Sequence, residues 1–250
     1  MQRILILKAD LVGGEMLRTA AERLFPKAAV ILVNRLARAH VMLEALPFDL
    51  FVTGLDLPDG DALDFIFSAV RGLRRAARVL VVSQHHEPRV LALLRAWGVE
   101  GVFDPASEGP RKLDHALRTL AAGHPYWSAG LRERLDATLR GDRSCGRELS
   151  PAERVVLSAI GDGCDNQTAA ERLGRSVRTI ETQRNQIHRR LGLHHKGELV
   201  QYAVRNGFVR FTRGGVVRPG FEQERVAYAT KRQRRKPGTT GEGSDSVAAA

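Results

Sequence analysis

The spacing of hydrophobic residues divides this chain into two parts. Over the first 122 residues, short runs of consecutive apolar residues alternate with stretches in which apolar residues recur every three or four positions. The runs are typical of strands buried on both faces of a parallel sheet, and the spaced stretches are typical of helices with one buried face. From 149 to 209 only the helical spacing occurs. The pattern predicts an α/β domain followed by an all-α domain.

The first part contains five strand-helix units. Strands are predicted at 3–7, 29–33, 50–53, 79–82 and 100–103, and helices near 12–24, 35–46, 61–72, 87–96 and 110–121. This alternation predicts a flavodoxin-like, doubly wound, parallel five-stranded sheet over residues 1–122, with helices on both faces. Ligands of such folds bind at the carboxyl ends of the strands, so the residues there are the first candidates for function.

Helix-starting and helix-breaking residues divide 149–209 into four short helices. Ser150, Pro151 and Glu153 start the first helix, because Ser caps free amides, Pro suits the first turn, and Glu complements the helix dipole. The residues that end this helix, or begin and end the next ones, are Gly161, Gly163, Asp165 or Asn166, Gly174 and Ser176. The arrangement predicts a four-helix domain over 149–211 that contains a helix-turn-helix.

The third of these helices has two chemically different sides. One side carries Val177, Ile180, Ile187 and Leu191, and the other carries Arg178, Glu181, Thr182, Asn185 and Arg189. Arg, Asn and Gln form paired hydrogen bonds with base edges, whereas Thr, Lys and Arg hold phosphates. The polar side therefore fits the major groove of double-stranded DNA.

Four short motifs follow one another along this segment. They are Leu149-Ser150-Pro151-x-Glu153, Asn166-Gln167, Ser176-x-x-Thr179-Ile180-Glu181-Thr182 and Leu191-Gly192-Leu193. In this order and spacing they resemble the DNA-binding domain of LuxR/FixJ-type regulators. Three positions depart from the pattern of that family. Ala169 replaces a larger aliphatic residue, Arg175 stands where the turn is usually apolar, and Gln183 takes a frequent His position.

The resemblance implies roles for particular side chains. Glu181, Thr182 and Asn185 are implied to read bases, and phosphate contacts are implied for Gln167, Thr168, Arg178, Gln183, Arg184 and Arg189. Domains of this kind bind as dimers, so we expect a homodimer on an inverted repeat spaced by about one helical turn. Leu199, Val200 and Ala203 of the fourth helix form either the dimer seam or ordinary core.

The charge distribution agrees with a polyanionic partner. The formal net charge is +11, and residues 149–236 hold 18 basic and 8 acidic side chains, whereas residues 1–148 hold 21 and 18. The excess therefore lies in the DNA-binding part, where it favours DNA through counterion release. Charge alone does not separate DNA from RNA or an anionic membrane.

Two further segments surround the helical domain. Residues 123–148 contain one short helix between turn-rich ends and are predicted to be a linker, in which Tyr126-Trp127 packs against the first domain. Residues 212–250 are predicted to be a disordered basic tail, within which 220–230 can form another helix. The basic cluster 231–236 either adds nonspecific DNA affinity or is a solvated extension without a role.

The strand ends of the first domain carry their own motifs. Residues 49–61 have the sequence pattern of a third strand and the loop that follows it. Residues 79–83 have the pattern of a fourth strand that ends in a hydroxyl side chain, and Gly98-x-x-Gly101 precedes the fifth strand. These features resemble the receiver domain of response regulators. The resemblance implies an aspartate acceptor for phosphate, an acidic pair that holds a divalent cation, and a lysine near the phosphoryl group.

Most residues of that chemistry are replaced in this chain. The acceptor position is Gly54, the acidic pair falls at Lys8 and Ala9, and the lysine position falls at Pro105, or at Asp104 if the register slips by one. Asp10 and Ser83 remain as polar vestiges. Because an ammonium replaces a carboxylate ligand, we expect a pseudo-receiver without a metal or an aspartyl-phosphate switch. Lys8 is expected to pair with Asp10 or Asp56 instead.

A displaced carboxylate is the alternative to complete loss of phosphorylation. Asp56, Asp59 or Asp61 would then accept phosphate or bind a cation. Acidic residues in such a Pro/Gly turn are ordinarily loop formers and helix caps, and a shift of two residues moves the acceptor out of the crevice.

Other classes of chemistry lack sequence support. Cys145 and Cys164 are too few for a disulfide framework or a zinc site, and the adjacent histidines at 85–86 and 194–195 do not form a metal-ligand pattern. We expect no enzyme activity and no cofactor, because neither a nucleophile–base arrangement nor a phosphate-binding loop is present. The apolar run 4–7 is too short for a signal peptide, and no run reaches about 18 apolar residues, so we expect a cytoplasmic protein that does not enter a membrane.

The sequence thus predicts a DNA-binding transcriptional regulator that is controlled independently of aspartyl phosphorylation. Two other functions stay open. One is a signalling adaptor whose pseudo-receiver binds a partner protein, and the other is a response regulator that is phosphorylated at a displaced carboxylate. The signal that replaces phosphate is a small ligand or a protein partner at the pseudo-receiver, or the expression level alone.

Overall fold

A six-stranded parallel sheet forms the centre of the first domain in the computed structural model, which describes residues 1–72, 77–140, 149–212 and 214–234. The strands of this domain are β1 (Arg3–Leu7), β2 (Ala29–Val33), β3 (Leu50–Thr53), β4 (Asp56–Leu57), β5 (Gly60–Asp61), β6 (Arg78–Val82), β7 (Gly101–Phe103) and β8 (Tyr126–Trp127). The sheet has the order β2-β1-β3-β6-β7-β8, and β4 and β5 form a separate small hairpin. All neighbours in the large sheet are parallel, which confirms the doubly wound α/β fold.

Helices cover both faces of the sheet. They are α1 (Leu11–Leu24), α2 (Leu36–Ala45), α3 (Leu63–Gly72), α4 (Pro88–Ala96), α5 (Pro110–Ala121) and α6 (Ala129–Arg140). On β1, Ile4 and Ile6 pack with α1 and α5, whereas Leu5 and Leu7 pack with the helices of the opposite face. All four side chains are fully buried, so the continuous apolar run of β1 serves two cores at once.

The sheet has one strand more than the five that were predicted. Tyr126 and Trp127, assigned above to the linker, pair in parallel with Gly101 and Val102 of β7. Both aromatic side chains are buried, which confirms that they pack against the first domain. Two residues are too short for a recognisable strand pattern, and pairing with β7 decides their conformation. The domain boundary predicted at residue 122 therefore lies too early in the chain.

The second domain contains the four predicted helices. They are α7 (Pro151–Ile160), α8 (Asn166–Leu173), α9 (Val177–Leu191) and α10 (Lys196–Arg205). The Ser150 hydroxyl accepts a hydrogen bond from the Glu153 amide, and the Glu153 carboxylate accepts one from the Ser150 amide, so the predicted start of α7 is confirmed. Gly174 ends α8 in the left-handed conformation that glycine adopts without strain, and this turn leads into α9.

The described residues after α10 contradict the predicted disordered tail over 212 and 214–234, whereas 213 and 235–250 lie outside the described residues. β9 (Arg210–Thr212) and β10 (Gly215–Val217) form an antiparallel hairpin, and α11 (Phe221–Arg234) follows. The helix predicted at 220–230 is thus confirmed. Phe221 is buried against Val155 and Ala159 of α7, and such contacts with distant parts of the chain leave no trace in local composition. The end of the basic cluster, at 235–236, lies outside the described residues.

The described residues contain neither a helix that could cross a membrane nor a group of side chains that could hold a metal ion. There, no helix is both long and apolar enough to cross a bilayer. In the same ranges, no three His, Cys, Asp or Glu side chains are grouped to hold a metal ion. Cys164 is a half-buried free thiol, and Cys145 lies outside the described residues.

Candidate nucleic-acid interface and receiver pocket

Helix α9 buries one side and exposes the other. Ile180 and Ile187 are fully buried in the core of the helical domain, and Leu191 packs against the same core. Val177 was expected on this side but is 40% exposed, because it lies in the first turn, where the helix leaves the core. The outward side exposes Arg178, Glu181, Thr182, Asn185 and Arg189. The structure therefore presents the polar side of α9 to solvent, as a groove-binding helix requires.

The start of α8 exposes a capped helix N-terminus to solvent. Asp165 caps α8, and its carboxylate accepts the Thr168 amide at 2.7 Å. Gln167 and Thr168 are both exposed, and the Gln167 side-chain amide donates to Glu171 at 2.7 Å. The helix dipole and the exposed polar side chains make this terminus suitable for a phosphate. Phosphate contacts by Gln167 and Thr168 stay a prediction.

Two of the three departures from the family pattern are partners in the structure. The Arg175 guanidinium in the turn donates a hydrogen bond to the Gln183 side-chain oxygen on α9, at 2.7 Å. An apolar residue at 175 could not donate a hydrogen bond to Gln183. This hydrogen bond therefore accounts for the presence of both unusual residues. The third departure, Ala169, is fully buried between the helices, where its small side chain fits the core.

Arg184 does not fit its predicted role as a phosphate ligand. Its guanidinium donates to the Cys164 carbonyl at 3.0 Å, and the side chain is half-buried. Burial lowers the pKa of Arg184, and the nearby carboxylates of Asp165 and Asp162 oppose this effect. We therefore reassign Arg184 to the support of the loop before α8. Sequence position alone did not show this, because the carbonyl partner is 20 residues away.

The dimer seam predicted on α10 is wrong for two of its three residues. Leu199 and Ala203 are fully buried in the core of their own domain, where they cannot reach a second subunit. Val200 is half-buried. The alternative, that these residues are ordinary core, holds for Leu199 and Ala203. The sequence could not decide between the two, because an amphipathic pattern shows which side of a helix is buried but not what covers it.

Gln186 is an exposed residue of α9 that sequence reasoning missed. It lines a groove between α7 and α9 together with Ser150, Glu153, Gln183 and Arg189. Gln186 follows Thr182 by one helical turn, so the helical repeat that selected Thr182 also selects this residue. Its amide can form the paired hydrogen bonds that base edges offer.

A cleft of about 600 Å³ opens at the carboxyl ends of the strands in the first domain. All of the predicted pocket residues line it: Lys8, Ala9, Asp10, Gly54, Asp56, Ser83 and Pro105. Phe211 and Thr212 of the β9–β10 hairpin also line the cleft, which sequence reasoning did not predict. The pocket therefore combines the first domain with a segment that follows the helical domain.

Lys8 occupies the region around the former acceptor position. Its ammonium lies 3.4 Å from an Asp10 carboxylate oxygen, so of the two predicted partners Lys8 pairs with Asp10. A Cβ at Gly54 would lie 3.4 Å from the Cδ and 3.7 Å from the Nζ of Lys8. Partial burial raises the pKa of Asp10, but the Gly13 amide and Lys8 outweigh it and hold this pKa below its ordinary value. The positive charge at the carboxyl ends of the strands is thus supplied by a side chain of the protein, the Lys8 ammonium.

The three carboxylates that could replace the acceptor all have partners. Asp59 caps α2 by accepting hydrogen bonds from the amides of Leu36 and Ala37, at 2.9 and 3.1 Å. Asp61 accepts the Leu63 amide at 2.7 Å and the Arg210 guanidinium. Asp56 bonds to Arg210 at 2.7 Å and to the His85 imidazole at 2.6 Å.

The charges around Arg210 shift several pKa values. Burial lowers the pKa of His85, but hydrogen bonds with Asp56 and Glu87 outweigh this effect and raise it to about 9, so the imidazole is positively charged near pH 7. The hydrogen bond with His85, more than the charge of Arg210, holds the pKa of Asp56 below its ordinary value. Burial raises the pKa of Asp61 to about 6, although Arg210 opposes this effect.

Several known proteins are similar to this chain. The family described as bacterial regulatory proteins of the luxR family matches residues 147–203. The nitrate/nitrite response regulator protein NarL of Escherichia coli K12 is 32% identical over 176 residues, which cover 66% of this chain and 80% of NarL. The transcriptional regulatory protein MctR of Rhizobium johnstonii is 31% identical over 137 residues, which cover 53% of this chain and only 61% of MctR.

A solved structure reproduces the architecture. RcsB from Salmonella enterica serovar Typhimurium, bound to the promoter P1flhDC, has a TM-score of 0.58 and 22% identity, over 82% of this chain and 98% of RcsB. This likeness supports the fold, in which a parallel α/β domain precedes a helical domain. The alignment with NarL is far longer than the helix-turn-helix, so it includes part of the first domain. The chain therefore belongs to the luxR family of bacterial regulatory proteins and is a homologue of NarL-type response regulators, with a receiver-type domain before its helix-turn-helix.

Proposed function

We propose that this protein is a sequence-specific DNA-binding transcriptional regulator whose output does not require aspartyl phosphorylation. The observation that carries the DNA-binding part is the outward side of α9, which exposes Glu181, Thr182 and Asn185 to solvent. Homology supports it, since NarL is a response regulator and the RcsB structure contains a promoter.

The exposed side chains divide into two groups by chemistry. Glu181, Thr182 and Asn185 read base edges, with Gln186 added from its exposed position. Gln167, Thr168, Arg178, Gln183 and Arg189 hold phosphates, and Arg184 leaves this group because its guanidinium binds the Cys164 carbonyl. The protein acts as a homodimer on an inverted repeat, and the centres of the two half-sites are about one helical turn apart.

Independence from phosphorylation is supported by the residues of the receiver pocket. Gly54 offers no oxygen to a phosphoryl donor, and the Lys8 ammonium lies beside it. Asp56, Asp59 and Asp61 are engaged by Arg210, by His85 or by backbone amides. Attack by Asp56 or Asp61 on a phosphoryl group would weaken their bonds to the buried Arg210 guanidinium, and attack by Asp59 would release the amides that it caps at the start of α2.

Selection of bound fragments from genomic DNA tests the DNA-binding part. The full chain should enrich fragments that share an inverted repeat, and a variant with Glu181, Thr182 and Asn185 replaced by Ala should enrich none. Enrichment of the same fragments by this variant would contradict the assignment of α9, because base contacts carry the sequence information.

Incubation with acetyl phosphate and intact-mass measurement tests the second part. We expect no stoichiometric gain of one phosphoryl group in the full chain. A gain that disappears in Asp56→Ala would show that a displaced carboxylate restores phosphorylation. A relative with a complete receiver pocket serves as the positive control for the phosphoryl donor.

A further inference from the structure

A buried arginine of the C-terminal segment enters the receiver domain. Arg210 is the first residue of β9, and its side chain is only 4% exposed. It forms ion pairs with Asp56 and Asp61 on the β4–β5 hairpin, and its Nε lies 3.8 Å from a Glu87 carboxylate oxygen. His85 lies between Asp56 and Glu87 and bonds to both. One guanidinium thus joins the two loops at the rim of the pocket.

A buried arginine of the receiver domain makes the reciprocal contact. Arg89 lies in the first turn of α4, and its guanidinium forms two hydrogen bonds with the Glu224 carboxylate, at 2.9 and 3.0 Å. It also donates twice to the Pro219 carbonyl and stacks over the Phe208 ring, with its Cζ 4.7 Å from the ring centroid. Glu224 lies 3.7 Å from Arg154 of α7, so one carboxylate connects both domains.

Two glycines allow the C-terminal segment to lie directly on α4. Gly207 has φ +76°, and a Cβ there would lie 2.8 Å from the Cβ of Glu87. Gly220 has φ +68°, and its Cβ would lie 2.8 Å from the side chain of Leu93. Both positions have a left-handed backbone, which favours glycine, and at Gly207 a Cβ would also clash with the Cβ of Glu87, whereas at Gly220 the end of the Leu93 side chain would have to move. A loose contact between domains would not require this fit.

We propose that the described residues 206–212 and 214–224, which we call the clamp segment, are the resident partner of the degenerate receiver pocket and hold the two domains in one arrangement. Phe211 and Thr212 line the pocket, and Arg210 binds the carboxylates at its rim. On its other side, Arg218 pairs with Asp162 in the turn after α7. The outward side of α9 stays uncovered in the clamped arrangement.

The balance of charges explains why Arg210 is essential to the clamp. Asp56, Asp61 and Glu87 face two cations, Arg210 and His85. Without Arg210, three carboxylates share a single imidazolium in a partly buried site, and their mutual repulsion favours separation of the two loops. The clamp segment would then lose its anchor on the receiver domain.

Hydrogen exchange of the full-length protein tests the clamp. Arg210→Met removes the charge and keeps much of the volume. We expect amide exchange to accelerate by about tenfold or more in three stretches that are far apart in sequence, 55–62, 84–93 and 206–217. Amides of β1 and α9 should keep greater protection than those of the three stretches. Arg225→Ala is the matched control, because Arg225 pairs with Glu222 inside α11 and should leave the three stretches unchanged.

A milder variant keeps the test decisive if Arg210→Met unfolds the chain. Asp56 is half-exposed, so Asp56→Asn weakens the cluster without leaving a deeply buried charge. It should accelerate exchange in the same three stretches by a smaller factor, whereas Asp114→Asn, which breaks an ion pair with Arg23 inside the receiver domain, should not. Unchanged exchange at 84–93 and 206–217 in Asp56→Asn and in any folded Arg210→Met would overturn the proposal.

Discussion

The outward side of α9 and the receiver pocket are both polar surfaces inherited from one family, and they differ in what their polar groups contact. On α9, Glu181 and Asn185 project into solvent. In the pocket, Lys8 pairs with Asp10, and Asp56 pairs with Arg210 and His85. Polar groups that contact only water can exchange it for a ligand, whereas groups paired within the protein must first give up those partners. The comparison shows that the polar groups of α9 are available to a ligand, whereas those of the pocket are paired within the protein.

Removal of Arg210 should have the largest effect on this comparison. Arg210 and Asp61 are each 4% exposed, so Arg210→Met leaves a buried carboxylate without its cation and should lower the free energy of unfolding by about 3–5 kcal/mol. Urea denaturation at pH 7 measures it. Arg189→Met, on the exposed side of α9, should change stability by less than about 0.5 kcal/mol. Equal losses in the two variants would erase the distinction between the surfaces.

The pH dependence of stability should also come from the pocket side. His85 has a pKa of about 9 in the fold against an ordinary value of 6.5, so its contribution is complete below pH 6.5 and is lost as the pH rises through 9. The groups that face it are Asp56, Glu87 and Arg210, and the carboxylates stay ionised over this range. Denaturation curves between pH 6.5 and 9.5 should show the decline, and His85→Gln should flatten it. A wild-type curve as flat as that of His85→Gln would contradict the assignment.

Two glycine substitutions separate backbone strain from contact between the domains. Gly192 has φ +63°, and in the described residues a Cβ there meets no atom within 4 Å, so Gly192→Ala should cost about 1 kcal/mol of stability. Gly207→Ala adds a clash with Glu87 to the same backbone penalty and should cost about 2–3 kcal/mol. Thermal unfolding measures both. Similar costs would mean that Gly207 is not pressed against α4.

Two substitutions on α9 sharpen the roles of its exposed residues. Asn185→Ala should weaken binding to the correct site by about 1–3 kcal/mol and leave binding to random DNA nearly unchanged, because it removes a base contact. Arg189→Ala should weaken both and reduce the salt dependence, because it removes a phosphate contact. Titrations at two salt concentrations measure the difference. Equal losses for both variants on both DNAs would undo the division into base and phosphate contacts.

The smallest expected effect concerns the contact between Arg175 and Gln183. Because Arg175 holds the Gln183 side-chain oxygen, Arg175→Ala should reduce DNA affinity by about 0.5–1.5 kcal/mol through loss of the orientation of Gln183. In a double-mutant cycle with Gln183→Ala the two losses should not add. Additive losses would show that each side chain acts on DNA independently.

Local pattern explains how much of the fold was predictable. The strands Ala29–Val33 and Leu50–Thr53 were predicted to the residue, because a short apolar run bounded by turns identifies a buried strand. β8 was missed, since two residues form a strand only by pairing with β7. The pocket residues were placed together correctly, because the carboxyl ends of parallel strands meet at one edge of the sheet.

Contacts between distant segments set the limit of sequence reasoning. Arg210 reaches Asp56 and Asp61 across about 150 residues of chain, and a single arginine after a helix gives no local signal of such a partner. Leu199 and Ala203 were recognised as apolar positions of α10, but spacing does not tell a domain core from a subunit interface. The same lack of long-range information led to the prediction of a disordered tail where β9, β10 and α11 lie.

The Lys8 side chain beside Gly54 determines what a carboxylate introduced at position 54 would meet. An aspartate at 54 would begin 3.4 Å from the Lys8 stem and 3.7 Å from its ammonium, so its carboxylate would lie within reach of a salt bridge. Gly54→Asp alone would therefore place the new carboxylate against a cation of the protein itself. That carboxylate would compete with Asp10 for the Lys8 ammonium.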